Sequence, residues 1–384
     1  MSGHEAATVG DTVGDTASTV TTAKASRQAG VRRAAPLLLA GAFLLIGYLR
    51  LAPGTAHPGD YHDYAFREVR YSDVIALYLR DHLERHPQPY LDYALEYPAL
   101  LGGLSYLLSF APTLPAYFAL TYALLALGAL GTVAALGRLP GADAWYFAAA
   151  PTLVAYAGLN WDLAAVGCTA AALLAYARGR DRLGTLALVA AVWLKLFPLP
   201  ILAAVLVARL LQRRFRAAAE IGLVFAVGSA VVNLPLALRD QAGWAYFFAF
   251  NSERGAGSGL WLWLPWLTTA QVNRLTIAAL ALGGAAMALV AWRGRGAVLL
   301  PLGAGLLLWW LLLNKVYSPQ YALWVYEDAL IGWELHYLRA PLEVLRVALL
   351  AACVGYALWQ LARGEPGTTD PPRPGAHPAS AAGR

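Results

Sequence analysis

Residues 34–52 read AAPLLLAGAFLLIGYLRLA, with Arg50 as the only charge. At ~1.5 Å of helical rise per residue, a run of this length matches the ~30 Å hydrocarbon layer of a bilayer. It is longer than the apolar core of a signal peptide and has no convincing cleavage site, so it is expected to remain as a membrane anchor. Ten more apolar runs follow, at 97–110, 114–136, 144–159, 163–177, 183–194, 198–211, 217–238, 272–292, 297–313 and 342–362. A chain of 384 residues that is 59% hydrophobic and only 14% charged, with mean hydropathy +0.51, lies outside the range of soluble proteins. The expected fold is therefore an all-α integral membrane protein with about 10–11 transmembrane helices.

The net charge of +6 is a topology signal. Basic clusters at Lys24/Arg27/Arg32/Arg33, Arg178/Arg180/Arg182, Arg209/Arg213/Arg214/Arg216, Arg293/Arg295 and Arg363 flank apolar runs, as cytoplasmic ends do. A nucleic-acid surface would gather them in one stripe, so no nucleic-acid partner is expected. Strict counting through 97–136 conflicts with the clusters at Arg138, which implies that one short run, or the Pro112/Pro115 break, does not cross. Cys168 and Cys353 lie in apolar sequence without metal-ligand or CxxC spacing and read as small core residues. Residues 1–33 and 364–384 read as disordered tails, the first cytoplasmic, leaving 34–363 as the transmembrane domain.

Residues 52–96 form the first extracytoplasmic loop and carry eight acids among tyrosines, histidines and prolines. Within it, SDVIALYLRDHLER places Ile75, Tyr78, Leu79 and Leu83 on one helical stripe opposite Arg80, Asp81 and Glu84, the pattern of a helix on the membrane surface. Charges at membrane depth are costly and so mark function. Those on the outer side include Asp60, Asp63, Asp73, Glu96, Asp162, Lys195, Glu253, Arg254 and Lys315, with Asn160 beside them. Lysine occurs only at positions 24, 195 and 315, the last in WWLLLNKVYSPQY. Carboxylates can accept a hydroxyl proton and cations can stabilise a departing phosphate. Each residue also has a structural reading. Asp73, with Ser72, opens a helix and is placed to cap it; Asn160 and Asp162 suit a helix junction and cap; Glu96 suits an interfacial helix start. Lys195 and Lys315 can reach to the interface as helix-end lysines do, and Trp261, Trp263 and Trp266 suit an aromatic belt.

The ordered set YSDVIALY, PYLDYALEYPALLGG, NWDLAAVG, WLKLFPL, FNSERG and NKVYSPQYALW resembles the polyprenyl-phosphate-mannose-dependent mannosyltransferases, glycosyltransferase family 87 of the GT-C superfamily, over about residues 35–325. The resemblance implies a GT-C bundle whose cavity opens extracytoplasmically, in the plasma (inner) membrane. It implies inverting transfer of a sugar from a polyprenyl-phosphate donor to a glycolipid or polysaccharide acceptor, with no cofactor and no metal-ligating residue expected. Asp73, 25 residues before Pro98, would be the base; Lys195, Lys315 and Arg254 would hold the donor phosphate; and Glu96, Asn160, Asp162 and Gln320 would contact sugar or acceptor. The chain departs from that pattern after Gln320, where Glu327, Asp328, Glu334, His336 and Arg339 follow. Two other classes fit the composition: a transporter with half-helices ending near Lys195 and Lys315, or a non-catalytic binder of lipid-linked sugar.

Overall fold

The computed structural model describes residues 34–257, 259–294, 298–316 and 339–363. The two tails, Gln320 and the charged stretch from Glu327 to His336 lie outside the described residues. Regular structure in the described residues is helical, apart from one isolated bridge between Pro89 and Tyr93. Among the described residues, four helices are long and apolar enough to cross a membrane: α1 (34–51, continued by the 3₁₀ turn Ala52–Ala56), α5 (Leu114–Leu136), α11 (Phe215–Arg239) and α13 (Thr269–Arg293). Their starts have local causes. The Thr113 hydroxyl accepts the Ala116 amide at the head of α5, and Pro115 occupies its first turn, where no amide is needed. Thr268 and Gln271 satisfy each other's free amides at the head of α13 in a capping box.

Shorter helices fill the remaining apolar runs: α4 (Ala99–Ser109), α8 (Asp162–Ala177), α9 (Asp181–Leu194), α10 (Leu199–Leu211) and α14 (Leu299–Leu313), with α15 (Arg339–Arg363) apolar over Val347–Arg363. The run 144–159 departs from expectation by breaking into α6 (Ala144–Ala148) and α7 (Thr152–Tyr156). Pro151 disfavours helix at Ala150 and supplies no amide of its own, so this run is not one crossing. In the first loop lie α2 (Tyr61–Arg67) and α3 (Asp73–Arg80). The helix α12 (Gln241–Glu253) falls outside every expected run; Asp240 caps it by accepting the Gly243 amide at 2.9 Å.

Among the described residues, two large apolar cores form, with a small third around Trp261, Val272 and Leu313. One gathers Leu44, Ile75, Phe118, Leu125 and Leu163 from α1, α3, α5 and α8; the other gathers Val192, Val205, Leu302 and Val354 from α9, α10, α14 and α15. Cys168 packs against both large cores and Cys353 against the second, and neither is in a disulfide among the described residues. α11 and α13 bury only three residues each and turn Leu223, Val227, Leu282 and Trp292 outward, as helices surrounded by lipid do. α5 and α8 approach most closely at glycines. A Cβ on Gly167 would sit 2.7 Å from the Gly128 Cα, so only backbone movement could admit it. Gly167→Val should therefore destabilise the protein by about 1–3 kcal/mol, read as earlier loss of the monodisperse peak on heating in detergent. Gly131→Val, where a Cβ meets nothing within 4 Å, is the control expected to behave as wild type.

Two sequence expectations are corrected by burial. α3 does not set one apolar stripe against a polar face: Val74, Ile75, Ala76, Leu77 and Tyr78 are all buried, because α5 and the turn before α8 enclose it. It also stops at Arg80, with His82 in the left-handed region starting a 3₁₀ turn at Leu83–Arg85. The basic cluster containing Arg209 is not wholly a topology signal. Arg209 is 1% exposed and donates to both carboxylate oxygens of Asp181, at 2.7 and 3.1 Å, and to the Tyr176 carbonyl at 3.3 Å. It ties the α8–α9 turn to the end of α10.

Candidate functional site

The site begins with a stitch between two segments far apart in sequence. The Ser72 backbone is extended and the residue is fully buried; its hydroxyl donates to the Gly158 carbonyl at 2.6 Å. The Asp73 amide donates to the Leu159 carbonyl at 2.7 Å, and the Tyr61 hydroxyl both accepts from the Ser72 amide and donates to its carbonyl. Neither Ser72 nor Asp73 spends its side chain on capping α3. The Asp73 carboxylate instead stands at the positive end of the helix, where the free amides favour negative charge.

Among the described residues, each oxygen of that carboxylate has one donor. The Tyr71 hydroxyl donates to Oδ1 at 3.0 Å and the Asn160 amide nitrogen to Oδ2 at 2.6 Å. Asn160 can adopt only this orientation, since its Oδ1 accepts the Trp161 backbone N–H at 2.6 Å. The same nitrogen donates to the Tyr97 hydroxyl at 2.9 Å. Over the Tyr97 ring, 4.6 Å from its centroid, lies the Lys195 ammonium, 3.5 Å from Oδ2 of the fully buried Asp162. The order is thus carboxylate, amide, phenol, ammonium, carboxylate.

Burial pushes the Asp73 carboxyl above its ordinary range, while Tyr71, Asn160 and Lys195 each pull it back and Asp162 adds to the rise. Burial and the Asp73 charge push the Tyr71 phenol upward, which keeps it a donor. A carboxylate of this kind, with both oxygens positioned and spare lone pairs, can take a proton.

Lys315 and Arg254 form a second group. The Lys315 ammonium donates to Oδ1 of Asn273 at 2.7 Å and to the Ser252 carbonyl at 3.3 Å, and the Asn273 amide nitrogen donates to the same carbonyl at 2.7 Å. Burial, then the charge of Arg254, hold the Lys315 ammonium below its ordinary value. Arg254 is exposed, its guanidinium 5.9 Å from the Phe250 ring centroid. α12 runs between the two groups. Trp193, two residues before Lys195, donates to the Ser229 hydroxyl at 2.8 Å, and Trp244 of α12 donates to Asn233 at 3.1 Å, one turn further along α11. α12 then ends beside Ser252 and Arg254.

Of the sequence candidates, Asp73, Asn160, Asp162 and Lys195 come together, and Lys315 and Arg254 come together separately. Glu96 joins neither group, because Arg80 clasps both its oxygens and both of Asp81 at 2.6–3.0 Å. Trp261 is buried and donates to the Leu313 carbonyl at 2.7 Å, while Trp263 and Trp266 are exposed. Tyr71 and Tyr97 are residues that sequence reasoning missed, although both stand inside quoted motifs next to named candidates. Among the described residues, no three His, Cys, Asp or Glu side chains gather to hold a metal ion. Comparison with protein-family models, curated proteins and solved structures finds no match.

Proposed function

We propose that this membrane protein is an inverting glycosyltransferase of GT-C type that moves a sugar, mannose by its sequence resemblance, from a polyprenyl-phosphate donor to an extracytoplasmic glycolipid or polysaccharide acceptor. The observation that carries the reading is the half-buried Asp73 carboxylate, gripped by Tyr71 and Asn160 with the Lys195 ammonium close by. In the reaction, Asp73 takes the proton of an acceptor hydroxyl as its oxygen attacks the anomeric carbon. The bond from that carbon to the phosphate oxygen breaks on the opposite face, and the phosphate leaves with the electron pair. One displacement inverts the centre, so a single carboxylate suffices; retention would require a second as nucleophile. Lys315 and Arg254 suit the departing phosphate; among the described residues the close partners of the Lys315 ammonium are neutral oxygens. The test supplies purified protein with labelled polyprenyl-phosphate-mannose and an envelope glycolipid extract. Label entering the glycolipid supports the proposal, and none entering it overturns it.

Two outcomes separate the roles. Lys315→Ala should raise the donor KM about tenfold, from loss of a charge-assisted contact of about 1.5 kcal/mol. An unchanged donor KM would remove Lys315 from the phosphate site. Tyr71→Phe deletes a hydrogen bond that lowers the Asp73 pKa, so the acidic limb of the rate profile should move to higher pH. The signs of rate and stability are opposite here. The folded Asp73 binds its proton more tightly than the unfolded chain, so stability declines as pH rises through the raised pKa, while the active, ionised base accumulates.

The buried Asp162–Lys195 pair also favours a carrier reading, since such pairs line ion pathways in membranes. Substrate uptake into vesicles without any transfer chemistry would identify it.

A further inference from the structure

A recess of about 520 Å³ opens beside the first loop and is bounded by Thr55, by Leu114 and Pro115, by Tyr78, and by His82 and Glu84 after α3. Thr55 closes the first membrane-spanning element and Leu114 and Pro115 open α5. The recess therefore lies at the membrane boundary. It is separate from the Asp73 cluster: Tyr78 is five residues further along α3, about 7.5 Å of rise and on a different face.

Its chemistry is selective. Tyr78 is 5% exposed, and its ring is fixed against Tyr117 with centroids 4.7 Å apart. Tyr78 lines this space, and its hydroxyl makes no hydrogen bond among the described residues. His82 Nδ1 lies 3.3 Å from Glu84 Oε1. Among the described residues, no lysine or arginine lines the recess and its one carboxylate belongs to Glu84, so an anionic headgroup meets repulsion there. A phenol, an imidazole, a carboxylate and the Thr55 hydroxyl around a hollow completed by Pro58, Leu79, Leu114 and Pro115 instead match the hydroxyls and C–H faces of neutral sugars.

We infer that this recess is an acceptor subsite, holding a sugar unit of the membrane-bound acceptor remote from the hydroxyl that reacts. The inference rests on the transferase reading for its occupant. Binding this far from the reacting atoms strengthens ground state and transition state alike, and so acts on KM and not on kcat.

The test uses the full chain in lipid nanodiscs, with α-linked mannotriose as soluble probe and glycolipid acceptor in the transfer assay. Tyr78→Phe keeps the ring packing and Glu84→Gln keeps the shape. Each should weaken mannotriose binding, and raise the acceptor KM, by about tenfold, the equivalent of one hydrogen bond. The kcat and the donor KM should stay within about twofold of wild type, and Asp73→Asn should bind mannotriose normally. Mannotriose that fails to bind the wild type, or binds both variants as tightly, overturns the subsite. Transfer with an unchanged acceptor KM overturns the subsite and leaves the transferase standing. Variant-sensitive mannotriose binding without transfer from any lipid-phosphate sugar supports the subsite and overturns the transferase.

Discussion

Asp73→Asn should lower sugar transfer by roughly 100- to 10,000-fold, the range of a lost general base, while the protein keeps its fold and its affinity for donor. The substitution is nearly isosteric. The Asp73 main-chain bond to Leu159, which fixes the loop, does not involve the carboxylate. An asparagine can still accept from Asn160 or Tyr71 through its own oxygen, so the local geometry has a way to persist. What it cannot do is take a proton. Initial rates with labelled donor, beside donor binding measured on the same preparation, decide the matter. A variant within tenfold of wild type would displace Asp73 as the base; loss of donor binding as well would point to collapse of the site.

The second large effect is on stability. Arg209→Leu should cost about 3–5 kcal/mol, because it leaves the buried Asp181 carboxylate without its bidentate partner. The value should fall toward the lower end, since Arg214 still lies 3.6 Å from Asp181. Arg209→Leu combined with Asp181→Asn should regain part of the loss, as the uncompensated charge is gone. Heating series in detergent, scored by the remaining monodisperse fraction, measure both. A single variant as stable as wild type would mean that water or Arg214 replaces the lost partner in full.

The helices were legible because apolar length and charge punctuation are local properties: α5 coincides with its expected run, and α11 and α13 lie within three residues of theirs. Pro151 was visible too, but whether a proline kinks a helix or ends it depends on neighbours that no short window contains. α12 escaped notice since its Asn, Ser and Glu lower the hydropathy of an otherwise aromatic segment. In the site, Asp73 stood out as a rare charge near the membrane. Tyr71 and Tyr97 did not, being two of 20 tyrosines. Asn160 was singled out for sugar contact, whereas its amide faces Asp73, a pairing across 87 residues that chain order does not reveal. Glu96 was removed from the group by Arg80, 16 residues earlier, for the same reason.

The stitch between residues 71–73 and 158–160 has a consequence for biogenesis and for chimaeras. The loop that carries Asp73 leaves the ribosome well before the turn that supplies Gly158, Leu159 and Asn160. The carboxylate thus has no seat until the helices through α7 have been inserted. Grafting residues 52–96 into another protein would transplant the aspartate and leave behind the carbonyls and the amide that aim it.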